Sequence, residues 1–241
     1  MISDLRRSKD DAEVELIAQA ADIASQALAD VAPMIAIGVT EGEVRDELEY
    51  RMRKLGADGP SYETIVASGS TNAALPHARP TARQFVEGDT VVIDVGALVS
   101  GYHSDMTRTF VVGAPTIEQG RWYELVLESQ MAGLEAVAAG VRVSDVDRAC
   151  RSVFESAGLS DLFVHGTGHG VGLDIHEEPF LGASGQTELV AGDVVTVEPG
   201  LYRVGTGGIR IEDLVVVTSE GYRNLTTHPK DSPCLPSRRT T

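Results

Sequence analysis

The sequence predicts an α+β domain, a pseudo-twofold antiparallel sheet covered by two pairs of helices. Three observations predict it. Val86, Gly88, Asp89, Val91 and Gly96 recur 104 positions later as Val190, Gly192, Asp193, Val195 and Gly200, and Asp94 maps onto Glu198 at the same offset. The helix starts repeat as well, Thr40 and Glu43 matching Ser144 and Asp147. The order helix, helix, strand hairpin therefore occurs twice, over about 10–113 and 114–218. Hairpins from the two halves would share one antiparallel sheet, with helices on one face. The chain reads as a single domain closed by a polar tail over 226–241.

Taken in order, residues 10–32 read as an amphipathic helix, because Val14, Ile17, Ala18, Ala21, Ala24, Ser25 and Leu28 recur at helical spacing. Thr40 and Glu43 form a capping-box pattern that opens a second helix to about Lys54, with Gly56 as its C-cap. Residues 62–68 look like a strand, and 72–80 like a loop in which Pro76 and Pro80 flank His77. Residues 86–96 are a turn feeding a buried strand, followed by a second strand from about Gly101 to Val112. A helix runs from about Thr116 to Ala139, where Gly140 stops it, and another starts at Ser144 and ends near Gly158. A strand over 190–200, a Gly-rich turn at 205–208 and a strand from Ile209 to Val217 complete the second half.

Composition narrows the function. The 241 residues are 42% apolar, ordinary for a globular protein with a sizeable core. A net charge of −16 argues against nucleic-acid and anionic-membrane partners, which need a basic surface. No run approaches the ~20 apolar residues of a membrane span. The charged N-terminus lacks the apolar segment of a secretory signal. Cys150 and Cys234 show no paired spacing, so reduced thiols and a cytoplasmic location are expected.

The chemistry gathers in residues 165–179, where His165, His169 and His176 sit among Gly166, Gly168, Gly170 and Gly172. Alternating glycines make a poor helix. In a strand they bare one face, so that another backbone or a ligand can come close and leave room beside the site. Around this stretch lie carboxylates in apolar strands, which need a cation or hydrogen bonds to offset burial. If the first hairpin turns on Val99 and Ser100, Asp94 faces Asp105 directly, with Cβ atoms roughly 4.5–5.5 Å apart. Glu198 and Glu212 flank the turn at Gly205 in the same way. Four carboxylates and one imidazole suit a pair of divalent cations, Mn²⁺, Co²⁺, Fe²⁺ or Zn²⁺ rather than a thiolate-bound metal. Two such ions about 3.5–4 Å apart can bridge a hydroxide at neutral pH and polarise a carbonyl, which describes metal-assisted hydrolysis of an amide or ester.

Five motifs carry a resemblance: I-D-V-G at 93–96, G-Y-H-S-D-M-T-R-T-F at 101–110, H-G-T-G-H-G-V-G-L-D-I-H-E-E-P at 165–179, E-P-G-L-Y at 198–202 and G-I-R-I-E-D at 208–213. From about residue 8 to 225 the chain resembles the pita-bread metallopeptidases, the fold of methionine aminopeptidase, Xaa-Pro aminopeptidase, prolidase and creatinase. The segments 72–77 and 208–213 look most like the Xaa-Pro branch. The resemblance implies that Asp94 and Asp105 bind one metal, His169 and Glu198 the other, and that Asp105 and Glu212 bridge both. Mn²⁺ is the first expectation, with Co, Fe or Zn as alternatives. It further implies that Glu198 handles the proton of the bridging water and that His77 and His176 contact the substrate amide and stabilise the tetrahedral intermediate. His165 would shape the pocket, Arg210 would support a bridging carboxylate, and Tyr202 would hydrogen-bond near the metals. His103 is expected in a supporting or structural role, and His228 as incidental. The implied activity is an exopeptidase acting on short peptides after an N-terminal residue, first of all before proline, as dipeptidase or aminopeptidase. A methionine aminopeptidase-like or non-peptide amide hydrolase on the same site is the alternative, and a non-catalytic binding module a further one. The chain begins almost at the catalytic domain, so the extra N-terminal domain usual in that branch is expected to be lacking. Monomer and homodimer both stay open.

Overall fold

The structure is a computed structural model that describes residues 2–233; Cys234 and the rest of the expected tail lie outside them. A short helix α1 (Ile2–Arg7) precedes α2 (Asp11–Val31), which starts where Asp10 and Glu13 close a reciprocal capping box. The stripe Val14, Ile17, Ala21, Ala24 and Leu28 is buried, as its spacing predicts. Helix α3 (Glu41–Lys54) opens on the Thr40–Glu43 box, and Gly56 takes up φ +107° beyond its end. Next come β1 (Gly59–Pro60), β2 (Ile65–Ser68) and the single turn α4 (Gly69–Asn72). They lead to β3 (Thr90–Asp94), β4 (Ala97–Val99), β5 (Tyr102–His103) and β6 (Thr107–Val111). Helices α5 (Ile117–Glu135) and α6 (Val143–Ser156) follow. The chain then forms β7 (Gly168–Gly170), β8 (Glu177–Leu181), β9 (Val194–Val197), β10 (Gly200–Arg203), β11 (Gly207–Arg210), β12 (Asp213–Thr218) and β13 (Gly221–Asn224).

All strand pairs are antiparallel, in four ladders rather than one unbroken sheet: β2-β3-β6, β1-β4-β5, β10-β11 and β13-β12-β9-β7-β8. The ladders meet at a seam where the Glu212 N–H donates to the Thr107 carbonyl (3.1 Å) and the Arg210 N–H to Thr109 Oγ1 (3.0 Å). One apolar cluster packs α2 and α3 against Val91, Ile93 and Phe110, while a second packs α5 and α6 against Val195, Val197 and Val215. The two V-x-G-D turns are built alike. Asp89 accepts from the Val86 N–H (2.9 Å) and Asp193 from the Val190 N–H (2.8 Å).

Three expectations need correction. The first hairpin turns on Ser100 (φ +51°) and Gly101 (φ +86°), pairing Val99 with Tyr102. A two-residue turn wants positive φ at both central positions, and Gly101 supplies the second. Asp94 therefore faces Thr107, not Asp105. The slip is two residues, so both carboxylates keep the same face. Helix α6 starts at Val143 with no side-chain cap; buried Asp147 accepts from Arg151 and Thr167 instead of capping. Helix α5 ends at Glu135 because the N–H groups of Ala139 and Gly140 donate to Thr218 and Leu189. Residues 227–233 of the polar tail are bound to the rest of the domain. Arg108 donates to the His228 carbonyl (2.6 Å), the Tyr123 hydroxyl to that of Lys230 (3.0 Å), and the Val111 N–H to that of Pro233 (3.1 Å).

Candidate metal centre

The seam brings the carboxylates together. Asp94 ends β3, Asp105 lies in the break between β5 and β6, and Glu212 in the gap between β11 and β12. Glu198 follows β9, and both flanking ladders keep the register that sets it across from Glu212. His169 is the middle residue of β7, held by its N–H to Thr196 Oγ1 (3.0 Å). One ligand atom from each of Asp105, His169 and Glu212 lies within 4.8 Å of the others, and all three residues are buried. His169 Nε2 stands 3.5 Å from Asp105 Oδ2 and 3.5 Å from Glu198 Oε1. Its Nδ1 meets the Gly170 carbonyl at 3.1 Å. A carbonyl only accepts, so Nδ1 carries the proton and Nε2 presents a lone pair to the carboxylates, the tautomer a metal takes.

The electrostatics point the same way. Burial, and then the charges of Asp94 and Glu198, push the Asp105 carboxyl well up; burial and Asp105 do the same to Glu212. Burial pushes Glu198 up to about 7, although Arg210 opposes it. His169 is lowered to about 4, first by burial. Carboxylates this close and this dry resist ionising together unless a cation joins them. The oxygen-rich set with one imidazole lone pair fits hard to borderline divalent ions.

Arg210, 2% exposed, organises one side of the cluster. Its Nη2 donates to Asp94 (2.7 Å), Nε to Thr107 Oγ1 (2.9 Å), and Nη1 to the Pro76 carbonyl (3.0 Å) and the Tyr202 hydroxyl (2.8 Å). Thr107 Oγ1 in turn donates to Glu212 (2.6 Å). Arg210 thus holds Asp94 directly and Glu212 through one hydroxyl. Tyr202 also meets His165 Nε2 (3.0 Å), whose Nδ1 faces the Gly166 carbonyl (2.8 Å), so Tyr202 donates to His165 and accepts from Arg210. The His176 ring lies 4.3 Å from that of His169 between centroids, tilted at 60°. His77 has its pKa lowered by burial and by Arg210. His77, His165, His176 and Arg210 open with the carboxylates on one cleft of ≈ 550 Å³, lined also by Ile65, Ile175 and Phe180, while Tyr202 stays behind its wall. His103 turns away to Ser61 Oγ (2.8 Å), and His228 lies edge-on to Phe110.

Tyr62 was not legible from the sequence. Its hydroxyl contacts Asp94 and, at 2.5 Å, Asp105, bridging two acids of the cluster. A lone Tyr in a strand-like segment gives no sign of such a task. Thr107, carried in the 101–110 motif, escaped notice for the same reason. The alternating glycines serve strand packing. A Cβ on Gly168 would fall inside the Thr196 carbonyl, and one on Gly170 inside that of Glu178. Their Cβ directions are taken up by neighbouring chain, while the backbone of Gly166 and Gly168 still lines the cleft.

Fold and cluster together define the class: an α+β pita-bread protein carrying a candidate metal centre. The chain belongs to metallopeptidase family M24, whose profile matches residues 15–219. The Xaa-Pro dipeptidase of Pyrococcus furiosus is 43% identical over 226 residues, covering 94% of this chain and 65% of the relative. Among solved structures, the Xaa-Pro dipeptidase from Bacillus anthracis superposes with a TM-score of 0.95 at 43% identity, over 97% of this chain and 66% of that one. The X-Pro aminopeptidase from Thermotoga maritima gives 0.94 at 39% identity, over 97% and 65%. The chain thus spans just under two thirds of the length of these relatives.

Proposed function

We propose that the chain is a metal-dependent exopeptidase domain that hydrolyses the bond between an N-terminal residue and proline in short peptides. The whole of it acts as one catalytic unit of two similar halves, about 10–113 and 114–218. The observation that carries the reading is the buried convergence of Asp105, His169 and Glu212 beneath an open cleft. Asp94, Asp105, His169, Glu198 and Glu212 would hold two divalent cations, Mn²⁺ first, then Co²⁺, Fe²⁺ or Zn²⁺. Such ions, when bound, lower the pKa of water and polarise an amide carbonyl. Glu198, at the cleft floor beside His169, takes the proton of the attacking water and returns it to the leaving nitrogen. His77 and His176 orient the scissile amide and donate to its oxygen as charge develops there. Tyr62 and Arg210 fix the carboxylates in place. The names of the relatives support Xaa-Pro peptides as the substrate class, and the two cysteines without paired spacing support a cytoplasmic place of work.

Asp105→Ala and Glu212→Ala test the assignment. Each is expected to abolish stoichiometric metal binding, read by elemental analysis, and to lower kcat/KM by about 10²–10³-fold or more. Full activity and full metal content in either variant would overturn it. A panel of Xaa-Pro dipeptides, longer Xaa-Pro peptides, Met-Ala peptides and acylated amides separates dipeptidase, aminopeptidase and non-peptide amidase.

A further inference from the structure

Among the residues lining the cleft, two carry guanidinium groups. Arg210 is closed off: four of its five N–H groups are engaged inside the protein, and its side chain is 2% exposed. Arg79 is the opposite. Its side chain is 64% exposed and its guanidinium pairs with Glu63, itself 53% exposed. Its backbone, however, is fixed. Asn72 Nδ2 donates to the Arg79 carbonyl (3.2 Å) and to Glu41 (2.9 Å), and fully buried Glu41 also accepts from the N–H and hydroxyl of both Ser68 and Thr81. The segment bearing His77 and Arg79 is therefore pinned to the start of α3, while the Arg79 head alone is free to move. An exposed ion pair of this kind is worth little, about 0–1 kcal/mol, so its exchange for another carboxylate costs almost nothing. A planar guanidinium binds a carboxylate by two parallel hydrogen bonds. Among the described residues, no other lysine or arginine lines the cleft, whose wall also includes Ile65, Phe180, His77 and His176.

We propose that Arg79, held in reserve by Glu63, takes the free C-terminal carboxylate of a bound dipeptide and so makes the cleft prefer short substrates with an unblocked C-terminus. This rests on the reading of the cleft as a peptide site. An amide or a longer chain at the same position would leave the guanidinium on Glu63 and gain nothing from it.

The test is calorimetric binding to the full chain. The probe is an Xaa-Pro isostere whose scissile amide is reduced to a methylene-amine, made once with a free carboxylate and once as the carboxamide. The wild type is expected to bind the carboxylate form about tenfold or more tightly than the carboxamide. Arg79→Met should lose that preference by weakening the carboxylate form alone, and Arg79→Lys should restore part of it. Glu63→Gln, which frees the guanidinium, should tighten the carboxylate form further. Equal affinities in the wild type, or an Arg79→Met variant that weakens both forms alike, would overturn the proposal. Turnover of Xaa-Pro dipeptides by the metal-loaded wild type is scored separately. Turnover without carboxylate preference sinks the role of Arg79 and keeps the peptidase reading; preference without turnover does the reverse.

Discussion

Replacing Arg210 by lysine keeps the positive charge but puts all donors on one tetrahedral nitrogen. That nitrogen cannot serve Asp94, Thr107, the Pro76 carbonyl and Tyr202 at once. Arg210→Lys should therefore weaken metal binding by about 10–100-fold, the usual cost of losing a partner that orients ligands, measured by competitive chelator titration. Chelation of the wild type has its own signature. The cluster binds cations only when folded, so removing them should lower the melting temperature, and excess Mn²⁺ should restore it in a concentration-dependent way. Asp94, Glu198 and Glu212 were legible because each interrupts an apolar run, Asp105 through the hairpin it shares with Asp94 and its motif, and His169 through its glycine-rich stretch. Tyr62 and Thr107 were not, because Tyr and Thr are ordinary strand residues and so leave no anomaly in the pattern. Arg210 was legible only through its place in a motif; that it grips Asp94 and reaches Glu212 through Thr107 depends on the seam between the halves.

Strand β7 shows how an element can be fixed by what its residues lack. Gly168 lies where a Cβ would overlap the backbone of β9, whereas Gly182, just past β8, has open space around its Cβ position and no positive φ. Gly168→Ala should therefore cost at least the ~1–3 kcal/mol of an overpacked core, and it would shift His169 with it. Gly182→Ala should be near neutral. Urea unfolding midpoints of the two variants check the contrast, and a Gly168→Ala variant as stable as the wild type would contradict the packing. The same stretch looked in sequence like room for a ligand, because alternation bares a face without saying what fills it. Register was legible to within an even number of residues. The apolar pattern fixes which face Asp94 and Asp105 share, but the partner depends on the turn, and the Ser100–Gly101 conformation decided that. Helix starts were read well where Thr40 and Asp10 cap locally; at α6 the start was read to within one residue but its cap was not, because Asp147 is recruited by Arg151 and Thr167.

Across the whole molecule the two halves are joined by a buried ion network as well as by the metal cluster. Arg108, 2% exposed, reaches from β6 to the Glu212 carbonyl (2.6 Å) and the Asp213 carboxylate (2.8 Å), and also to the His228 carbonyl. Asp213 is shared by Lys230, Gln130 and Asn224. Burial works against its charge, but Arg108 and Lys230 outweigh it and hold the carboxyl below its ordinary range. Two halves with separate apolar clusters could in principle unfold separately; a seam of this kind couples them. Removing one partner of a buried pair costs up to about 3–5 kcal/mol, and less where a second cation stays, as Lys230 does on Asp213. Arg108→Met should therefore lower stability by up to that amount. The Arg108 guanidinium also fixes the carbonyl of Glu212, so the variant should lose metal affinity although residue 108 touches no candidate ligand side chain. Ending the chain at Thr226 is the matching control, because it removes the His228 acceptor and Lys230 but leaves Arg108 on Asp213 and Glu212. It should cost less stability and spare metal binding. Urea unfolding followed in parallel by the fluorescence of Trp122, in the second half, and by circular dichroism of the whole chain reads both variants. Coincident single transitions in the wild type, with Arg108→Met shifted further than the truncation, are the expected result; two separate transitions in the wild type would mean the seam does not couple the halves.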